Sequence, residues 1–338
     1  MSQRIEDQTS IRLSSTEIGG LWSVYIQESM NVCFLKHLVH HLRDREISPL
    51  AERSLQVSTG RIDRIRHIFE SERFPVPEGF GERDVNLSAP PLFHDPFTLS
   101  FIYMTHRMSM ISFAFVSATN VRLDVLDFFN ECLRTSTELY GEAVKLMLEK
   151  GFYDRPPKMN YPETIEYVQK ESFLNGVLGK KRPLSAVELS EMFFNIERNY
   201  FAVIVMLGFA QVVDDPEIKQ LILRGRSISE SQIEFFNSLL MEENLLGTVT
   251  VSMEVTASTV SPFSDKLIMS LINALNAVDI VLISHALALS LRSDLIANYT
   301  RFAGEIMAYA KDTFDLLVDR QWLEQPPLTT DRSQLIGK

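Results

Sequence analysis

The chain has 338 residues, of which 45% are hydrophobic and 23% are charged, and its formal net charge is −11. This composition is typical of globular proteins, and the length suits two domains of roughly 150 residues with a connector. The acidic balance argues against a nucleic-acid partner, because binding to phosphates needs clustered Lys and Arg. We therefore expect an acidic globular protein that does not bind nucleic acid.

The sequence contains one long internal repeat. Its clearest anchors, 170 or 171 residues apart, are Ser14-x-x-Glu17 with Ser185-x-x-Glu188 and Arg122-x-Asp124 with Arg292-x-Asp294. Solenoid proteins repeat units of roughly 20 to 50 residues, so a unit of this length indicates a duplicated domain instead.

Periodic apolar segments separated by Gly and Pro predict that the chain is all-α. In the first copy, a capping box begins a helix that runs to about Leu42. A second helix is expected over about 49–72, and a third after Asp95 as its N-cap. The fourth helix covers about 122–150 and ends at Gly151, a left-handed C-cap. The second copy predicts matching helices near residues 185–213, 217–243, 265–290 and 292–320.

Loop lengths predict how these helices connect. Short loops join helix one to helix two and helix three to helix four, so both pairs are antiparallel neighbours. A long Pro- and Gly-rich crossover separates helices two and three, at 73–94 in the first copy and 244–264 in the second. One central crossover is the connectivity of ferritin-like bundles. We predict an all-α fold of two tandem ferritin-like four-helix bundles that arose by internal duplication.

These elements divide the chain into five parts. They are an N-terminal tail at 1–12, a first bundle at 13–153, a connector at 154–183, a second bundle at 184–325 and a C-terminal tail at 326–338. We also expect a short additional helix in the connector, over about 161–175.

Cysteine use and hydropathy indicate a cytoplasmic protein. Cys33 and Cys132 fall in helical patterns of the first copy and have no counterparts in the second, which predicts buried free thiols in a reducing compartment. The N-terminal residues do not have the apolar core of a signal peptide. The segment 267–291 is almost entirely apolar, but Asp279 near its centre would cost roughly 2.5–3.5 kcal/mol in a bilayer. We expect a buried core helix and no membrane partner.

A ferritin-like bundle raises the question of a carboxylate-bridged metal site. Such sites need inward-facing Glu residues and Glu-x-x-His pairs, and the four main helices of either copy contain no Glu-x-x-His. Helical phase places His37 and His41 opposite the apolar face of helix one, with His40 at its edge. By the same phase, His67 and Glu70 lie on the outside of helix two. The sequence therefore predicts no bound metal and no cofactor.

One carboxylate, Glu28, does fall on the apolar face of helix one. Its equivalent in the second copy is Asn199, which keeps a polar group and loses the charge. We interpret Glu28 as a buried residue that is hydrogen-bonded across the bundle. The alternative is a ferritin-like metal-binding protein or oxidase with a carboxylate site in the first bundle, around Glu28 and His40.

A second set of polar residues interrupts the third helix of the second copy. Asn273, Asn276 and Asp279 are spaced by three residues and so lie on neighbouring turns of one face. Such a stripe is typical of a hydrogen-bond network in a buried helix. The alternative is a small-ligand site at the interface of the two bundles, which requires a cavity at that place.

Four longer strings resemble a known bacterial family. They are LSSTEIGGLW at 13–22, GFYDRPP at 151–157, TVSPFSDK at 259–266 and WLEQPP at 322–327. The family is that of domain of unknown function 3231, found mainly in Bacillus-type spore formers. The resemblance covers nearly the whole chain and implies tandem ferritin-like bundles that are distantly similar to spore coat protein F. The family has no established activity, so no catalytic residues carry over.

The combined expectation is a non-enzymatic protein with a structural or interaction role, associated with sporulation. The sequence has no Gly-x-Ser-x-Gly, Cys-x-x-Cys or Gly-rich phosphate loop that would indicate catalysis. Its partner would be another protein or a second copy of the same chain. The apolar residues expected at the contact surface are those of the first crossover, namely Phe74, Phe80, Leu92 and Phe93.

Overall fold

A computed structural model of the protein describes residues 11–153, 155–176, 181–245 and 254–336. The first bundle consists of helices α1 (Ser15–His41), α2 (Ser48–Ser71), α3 (Asp95–Ser117) and α4 (Leu123–Lys150). The second consists of α5 (Ala186–Val212), α6 (Pro216–Glu242), α7 (Asp265–Leu289) and α8 (Ser293–Asp319). The prediction of an all-α chain made of two duplicated helical bundles is confirmed.

Two local expectations were wrong. Asp95 is the first residue of α3 and His94 is the cap, because the Asp95 carboxylate accepts the N–H of Asp44 at 2.8 Å instead of capping its own helix. The connector forms only a 3₁₀ turn at Glu171–Leu174 rather than a helix over 161–175. Residues 161–170 are exposed on every side, so no apolar burial stabilises a helix there.

The repeated capping boxes fix the start of each bundle. The Ser14 N–H donates to Glu17 Oε2 at 2.7 Å, while Glu17 Oε1 accepts the Arg122 N–H at 2.9 Å. One buried carboxylate therefore joins the beginning of α1 to the beginning of α4. The second copy repeats the arrangement, with Glu188 accepting the N–H groups of Ser185 at 2.9 Å and Arg292 at 3.0 Å.

The repeated arginines close the same end of each bundle. Arg292 is 1% exposed, and its guanidinium donates to both oxygens of Asp294 and to Glu243 at 2.7 Å. Arg122 makes the equivalent bonds to Asp124 and Glu72. The local pairing explains part of the recurrence of these residues, and the bond to the helix-two C-terminus explains the rest.

Substitutions at two glycines of the first bundle should change its stability in opposite directions. Gly151 has φ 72° and ends α4, whereas Gly60 lies in exposed α2, and an added Cβ meets no atom at either position. Gly151→Ala should lower the free energy of unfolding by about 1 kcal/mol, because L-residues are strained at positive φ. Gly60→Ala should raise it by about 1 kcal/mol. Urea denaturation of both variants checks the opposite signs, and equal signs would contradict the prediction.

The two crossovers pair with each other between the bundles. They form two antiparallel bridges, Val85 with Phe263 and Phe93 with Val255. Two further backbone bonds join them, from the His94 N–H to the Glu254 oxygen at 2.8 Å and from the Ser264 N–H to the Asp84 oxygen at 3.0 Å. Val85 is equivalent to Val255, and Phe93 is equivalent to Phe263, at the 170-residue offset. Exchanging the two copies therefore turns one bridge into the other, and the two backbone hydrogen bonds are related in the same way. The bundles therefore pack with pseudo-two-fold symmetry, like the two subunits of an isologous dimer.

A continuous aromatic core runs through this interface. Phe34 of α1 lies 4.3 Å from Phe263 and 6.0 Å from Phe209 of α5, measured between ring centroids. A Cβ on Gly208 would come within 2.8 Å of the Phe93 ring, so α5 and the first crossover are in close contact. The core of the protein thus extends across both bundles.

The expectation that the crossovers expose a contact surface was wrong. Leu92 is 0% exposed and Phe93 is 6% exposed, because both are buried between the bundles. Phe74 packs on Phe69 of α2, at 4.9 Å between ring centroids, and Phe80 lies beneath the Lys266 ammonium. Residues 246–253 of the second crossover lie outside the described part of the chain.

The apolar segment singled out for its hydropathy is α7. Within the described ranges, it is the one helix that is long and apolar enough to cross a membrane. In the bundle, α7 buries Leu267, Ile268, Met269 and Ile272 completely. Its apolar character on two faces follows from its position, because it packs against its own bundle and also faces the first one.

Candidate functional site

The interior of the first bundle contains an ion pair. Glu28 of α1 is 1% exposed and Arg61 of α2 is 5% exposed, and Arg61 Nη1 donates to Glu28 Oε1 at 2.7 Å. The other carboxylate oxygen accepts from Asn31 Nδ2 at 3.3 Å. Glu28 therefore sits in the hydrogen-bonded arrangement that we expected for it, with a cation as its partner.

Arg61 connects three helices. Its Nη2 donates to the Cys132 carbonyl oxygen at 2.9 Å and to the Ser136 hydroxyl at 2.8 Å, both on α4. Its guanidinium also lies over the Phe113 ring of α3, at 4.8 Å from the centroid. The sequence did offer a signal for Arg61, because it has the same helical phase as the buried Leu50.

The second bundle holds an uncharged version of the same pair. Asn199 is the equivalent of Glu28, and Gln232 is the equivalent of Arg61. Asn199 Nδ2 donates to Gln232 Oε1 at 3.1 Å, and both residues are 1% exposed. Both members of the pair thus differ between the copies, and a hydrogen bond between α1 and α2, or α5 and α6, is retained.

The structure does not bring Glu28 and His40 together. His40 is exposed and lies twelve positions after Glu28, a distance of about 18 Å along α1. Among the residues that the structure describes, no three His, Cys, Asp or Glu side chains form a group suited to a metal ion. His67 and Glu70 are exposed on α2.

His37 was predicted to lie on the outside of α1, and this was wrong. It is 1% exposed because the ring of Phe263, from the second crossover, covers it at 5.3 Å between centroids. Burial, together with the nearby His41 and His40, lowers the pKa of His37 to about 4. A neutral imidazole is therefore part of the inter-bundle core.

The polar stripe of α7 divides between two environments. Asn276 Nδ2 donates to the Thr313 hydroxyl of α8 at 3.1 Å, and that hydroxyl donates to the Ala310 carbonyl oxygen at 2.9 Å, with Asn273 Oδ1 nearby at 3.4 Å. These residues form a hydrogen-bond network inside the second bundle. Asp279 instead forms an ion pair with Arg198 of α5, and burial raises its pKa.

Asp279 and Arg198 lie on the wall of a cavity between the bundles. The cavity has a volume of about 90 Å³ and is lined by residues of α1, α3, α5 and α7. Asn273 and Asn276 are not among its lining residues. The structure therefore contains an interface cavity, as the ligand-site alternative requires, with one of the three stripe residues on its wall.

A second polar contact joins the bundles beside this cavity. Arg107 Nη1 of α3 donates to Glu197 Oε2 of α5 at 2.6 Å, and the Tyr103 hydroxyl donates to Glu197 Oε1 at 3.1 Å. The guanidinium of Arg107 also stacks over Phe194, at 3.8 Å. The equivalents of Arg107 and Glu197 in the other copy are Ala277 and Ile26, so this ion pair is present on one side of the pseudo-axis only.

The two thiols do not have the character of nucleophiles. Cys33 and Cys132 are buried and free, as predicted from their helical positions. Burial raises the pKa of each thiol to about 12. The reactive form of cysteine is the thiolate, so both residues remain unreactive near neutral pH.

Comparison with known protein families assigns the chain to one of them. The chain belongs to the family described as "Protein of unknown function (DUF3231)", which matches residues 4–165 and again residues 172–335. The resemblance inferred from the sequence strings is confirmed, and the two matches correspond to the two copies of the duplication.

The chain was also compared with solved structures and with curated protein sequences. A solved structure of a candidate spore coat protein from Bacillus halodurans C-125 is 18% identical to this chain, with a TM-score of 0.42. The alignment covers 46% of this chain and 99% of that one. A similarity this distant carries no functional argument. No curated protein sequence is significantly similar to this chain.

Proposed function

We propose that the protein is a non-enzymatic, ferritin-like tandem bundle with a structural or interaction role. The observation that supports this most directly is the ion pair of Glu28 and Arg61. A carboxylate-bridged metal centre would have to sit where the Arg61 guanidinium lies, 2.7 Å from the Glu28 oxygen. A cation fixed at that place opposes metal binding, because it both occupies the carboxylate and repels a second positive charge.

The connector supports the interaction part of the proposal. Within its described residues 155–176, several large apolar side chains are exposed. They are Met159, Tyr161, Ile165, Tyr167 and Val168, with Tyr161 at 94% and Tyr167 at 84% exposure. Aromatic side chains are enriched at protein contact sites. The connector therefore replaces the crossovers as the proposed contact segment, for a protein partner or a second copy of this chain.

The proposed location is the cytoplasm of a sporulating cell, with association to the spore. This part follows from the resemblance to a family of spore formers. Fractionation of sporulating cells with an antibody against the chain tests it. Presence in the spore fraction is the expected result, and presence only in the surrounding medium would contradict the proposal.

Elemental analysis tests the non-metal role. We expect protein purified without a His-tag and without added metal to contain iron and manganese at well below one atom per chain, because Arg61 occupies Glu28. Glu28→Gln, which keeps the side-chain shape, should leave this content unchanged. Glu131→Gln, on the exposed face of α4, is the matched control. Near-stoichiometric metal that falls only in Glu28→Gln would restore the oxidase alternative.

A further inference from the structure

A groove runs between α2 and α4 on the outside of the first bundle. It has a volume of about 220 Å³. Its walls include Val57, Gly60 and Arg64 of α2 and Phe128, Glu131 and Thr135 of α4. Gly60 has no side chain, and an added Cβ would meet no atom there, so the groove is open to solvent along α2.

The second bundle fills the equivalent place with aromatic rings. Arg64 and Cys132, which both line the groove, correspond to Phe235 of α6 and Phe302 of α8. The rings of Phe235 and Phe302 pack edge to face, at 5.4 Å between centroids. The groove therefore lies where the first copy lacks an aromatic pair that the second copy has. Its dimensions suit an aromatic side chain that enters from outside.

The charge of the groove restricts what can enter it. Glu131 is neutralised by Arg134, with Oε1 and Nη2 2.6 Å apart. Arg64 is exposed and forms no ion pair within the described part of the chain. A guanidinium attracts both the face of an aromatic ring and a carboxylate. The groove thus suits an aromatic side chain that is accompanied by negative charge.

The connector of this same chain has that chemistry. The segment 161–167 contains two tyrosines and two glutamates but no Lys or Arg. Tyr167 is 84% exposed and lies beside the exposed apolar residues Ile165 and Val168. Tyr161 is equally exposed, but its neighbours are Asn160 and Pro162. Because Tyr167 is exposed, it does not occupy the groove of its own bundle.

We propose that Tyr167 inserts into the groove between α2 and α4 of a second copy of this chain, where Arg64 contacts its ring and pairs with Glu163 or Glu166. This inference rests on the connector being the contact segment, as proposed above. The contact joins two different surfaces, so it is heterologous and extends into a ring or an open chain of copies. A contact this small is expected to be weak and transient.

Sedimentation velocity of the full chain over a range of micromolar concentrations tests the connector side. The wild-type protein should associate as its concentration rises. Tyr167→Ala should weaken the association by at least about 30-fold, because a buried aromatic anchor carries much of the energy of a small contact. Tyr161→Ala is the matched control, since it removes the same side chain from the same exposed segment, and it should leave the association unchanged.

Variants of Arg64 test the groove side. Arg64→Glu should weaken the association by at least about tenfold, because it places a negative charge opposite Glu163 and Glu166. Arg45→Glu makes the same change of net charge at an exposed position before α2 and should have a much smaller effect. Arg64→Phe introduces the side chain of position 235 and should also weaken the association, because it fills the groove. All of these positions are exposed, so the fold should be preserved.

A mixture of two defective variants distinguishes this contact from other modes of association. Tyr167→Ala retains an intact groove, and Arg64→Glu retains an intact connector. At a concentration where neither variant associates alone, the mixture should form dimers that contain one copy of each. The mixed dimer has one functional contact, so it should not grow further.

Several results would overturn the proposal. They are a wild-type chain that stays monomeric, an equal loss in Tyr161→Ala and Tyr167→Ala, an equal loss in Arg64→Glu and Arg45→Glu, and a mixture without dimers. If Tyr167→Ala weakens association and the Arg64 variants do not, the connector remains the contact segment and only the groove is wrong. If the chain is monomeric, elemental analysis and fractionation still test the proposed function separately.

Discussion

Replacing Arg61 by Ala is expected to lower the free energy of unfolding by about 3–5 kcal/mol. The substitution leaves the Glu28 carboxylate at 1% exposure without its cation. It also removes the donors that reach Cys132 and Ser136 of α4. A buried charge without a partner costs more than the pair contributed, so the loss is larger than that of an exposed salt bridge. Urea denaturation measures it.

The second bundle provides the control for this prediction. The double variant Glu28→Asn with Arg61→Gln installs the uncharged pair found as Asn199 and Gln232. Because neither member is then a buried ion, the double variant should be more stable than Arg61→Ala and than Glu28→Asn alone. A double-mutant cycle should give a coupling energy of at least about 1 kcal/mol. Additive effects of the two substitutions would show that the residues do not act as a pair.

Local signals made the helices predictable. The capping boxes at Ser14 and Ser185 and the glycine at 151 act within a few residues, so their consequences follow from the sequence alone. The duplication adds a second independent copy of each signal. The observed bounds of α2 and α6 accordingly differ from the expected ones by about one residue at each end.

Contacts between the bundles explain what the sequence could not predict. Helical phase predicts one buried face on α1, but this helix also packs against the second bundle. His37 was therefore placed outside and is in fact covered by Phe263. Phe93 of the first crossover was expected to be exposed, but it is 6% exposed because the second bundle covers it. The nearly continuous apolar sequence of α7 does indicate burial on more than one face, but it does not show which element covers the second face.

The sequence contained a signal for the pairing of Glu28 with Arg61, although this pairing was not predicted. Comparison of the copies shows Glu28 and Arg61 in one and Asn199 and Gln232 in the other, at offsets of 171 residues. Two charges of opposite sign that become neutral together indicate a contact. The replacement of Glu28 by Asn199, taken alone, does not reveal this contact. The cavity depends on tertiary packing, and of the polar stripe at Asn273, Asn276 and Asp279 only Asp279 lies on its wall.

Acidification is expected to destabilise the first bundle through His106. This residue of α3 is completely buried, and its Nε2 lies 2.8 Å from the Ser54 hydroxyl of α2. Its Nδ1 has no hydrogen-bond partner among the described residues. Burial, with the positive charges of Arg61 and Arg53, lowers the pKa of His106 from 6.5 to about 3. The imidazole is therefore neutral in the folded protein.

The sign of the effect follows from linkage. Between the folded pKa of His106 and 6.5, the unfolded chain binds a proton at this residue and the folded chain does not. Stability from this residue is thus complete above about pH 6.5 and is lost as the pH falls. From about pH 7.5 to about pH 5, the loss should be roughly 2 kcal/mol. Denaturation curves at a series of pH values measure it.

The equivalent of His106 in the second bundle is Asn276, so His106→Asn is the matched variant. His37, whose pKa is lowered, adds to the acid loss, whereas burial of Glu254 raises its pKa to about 7 and acts in the opposite direction. Both residues are unchanged in the variant, so the difference between wild type and variant isolates His106. The free energy of unfolding of the wild type minus that of the variant should fall by roughly 2 kcal/mol between about pH 7.5 and pH 5. Parallel pH profiles would mean that His106 accepts a proton in the folded state, despite its burial beside Arg61.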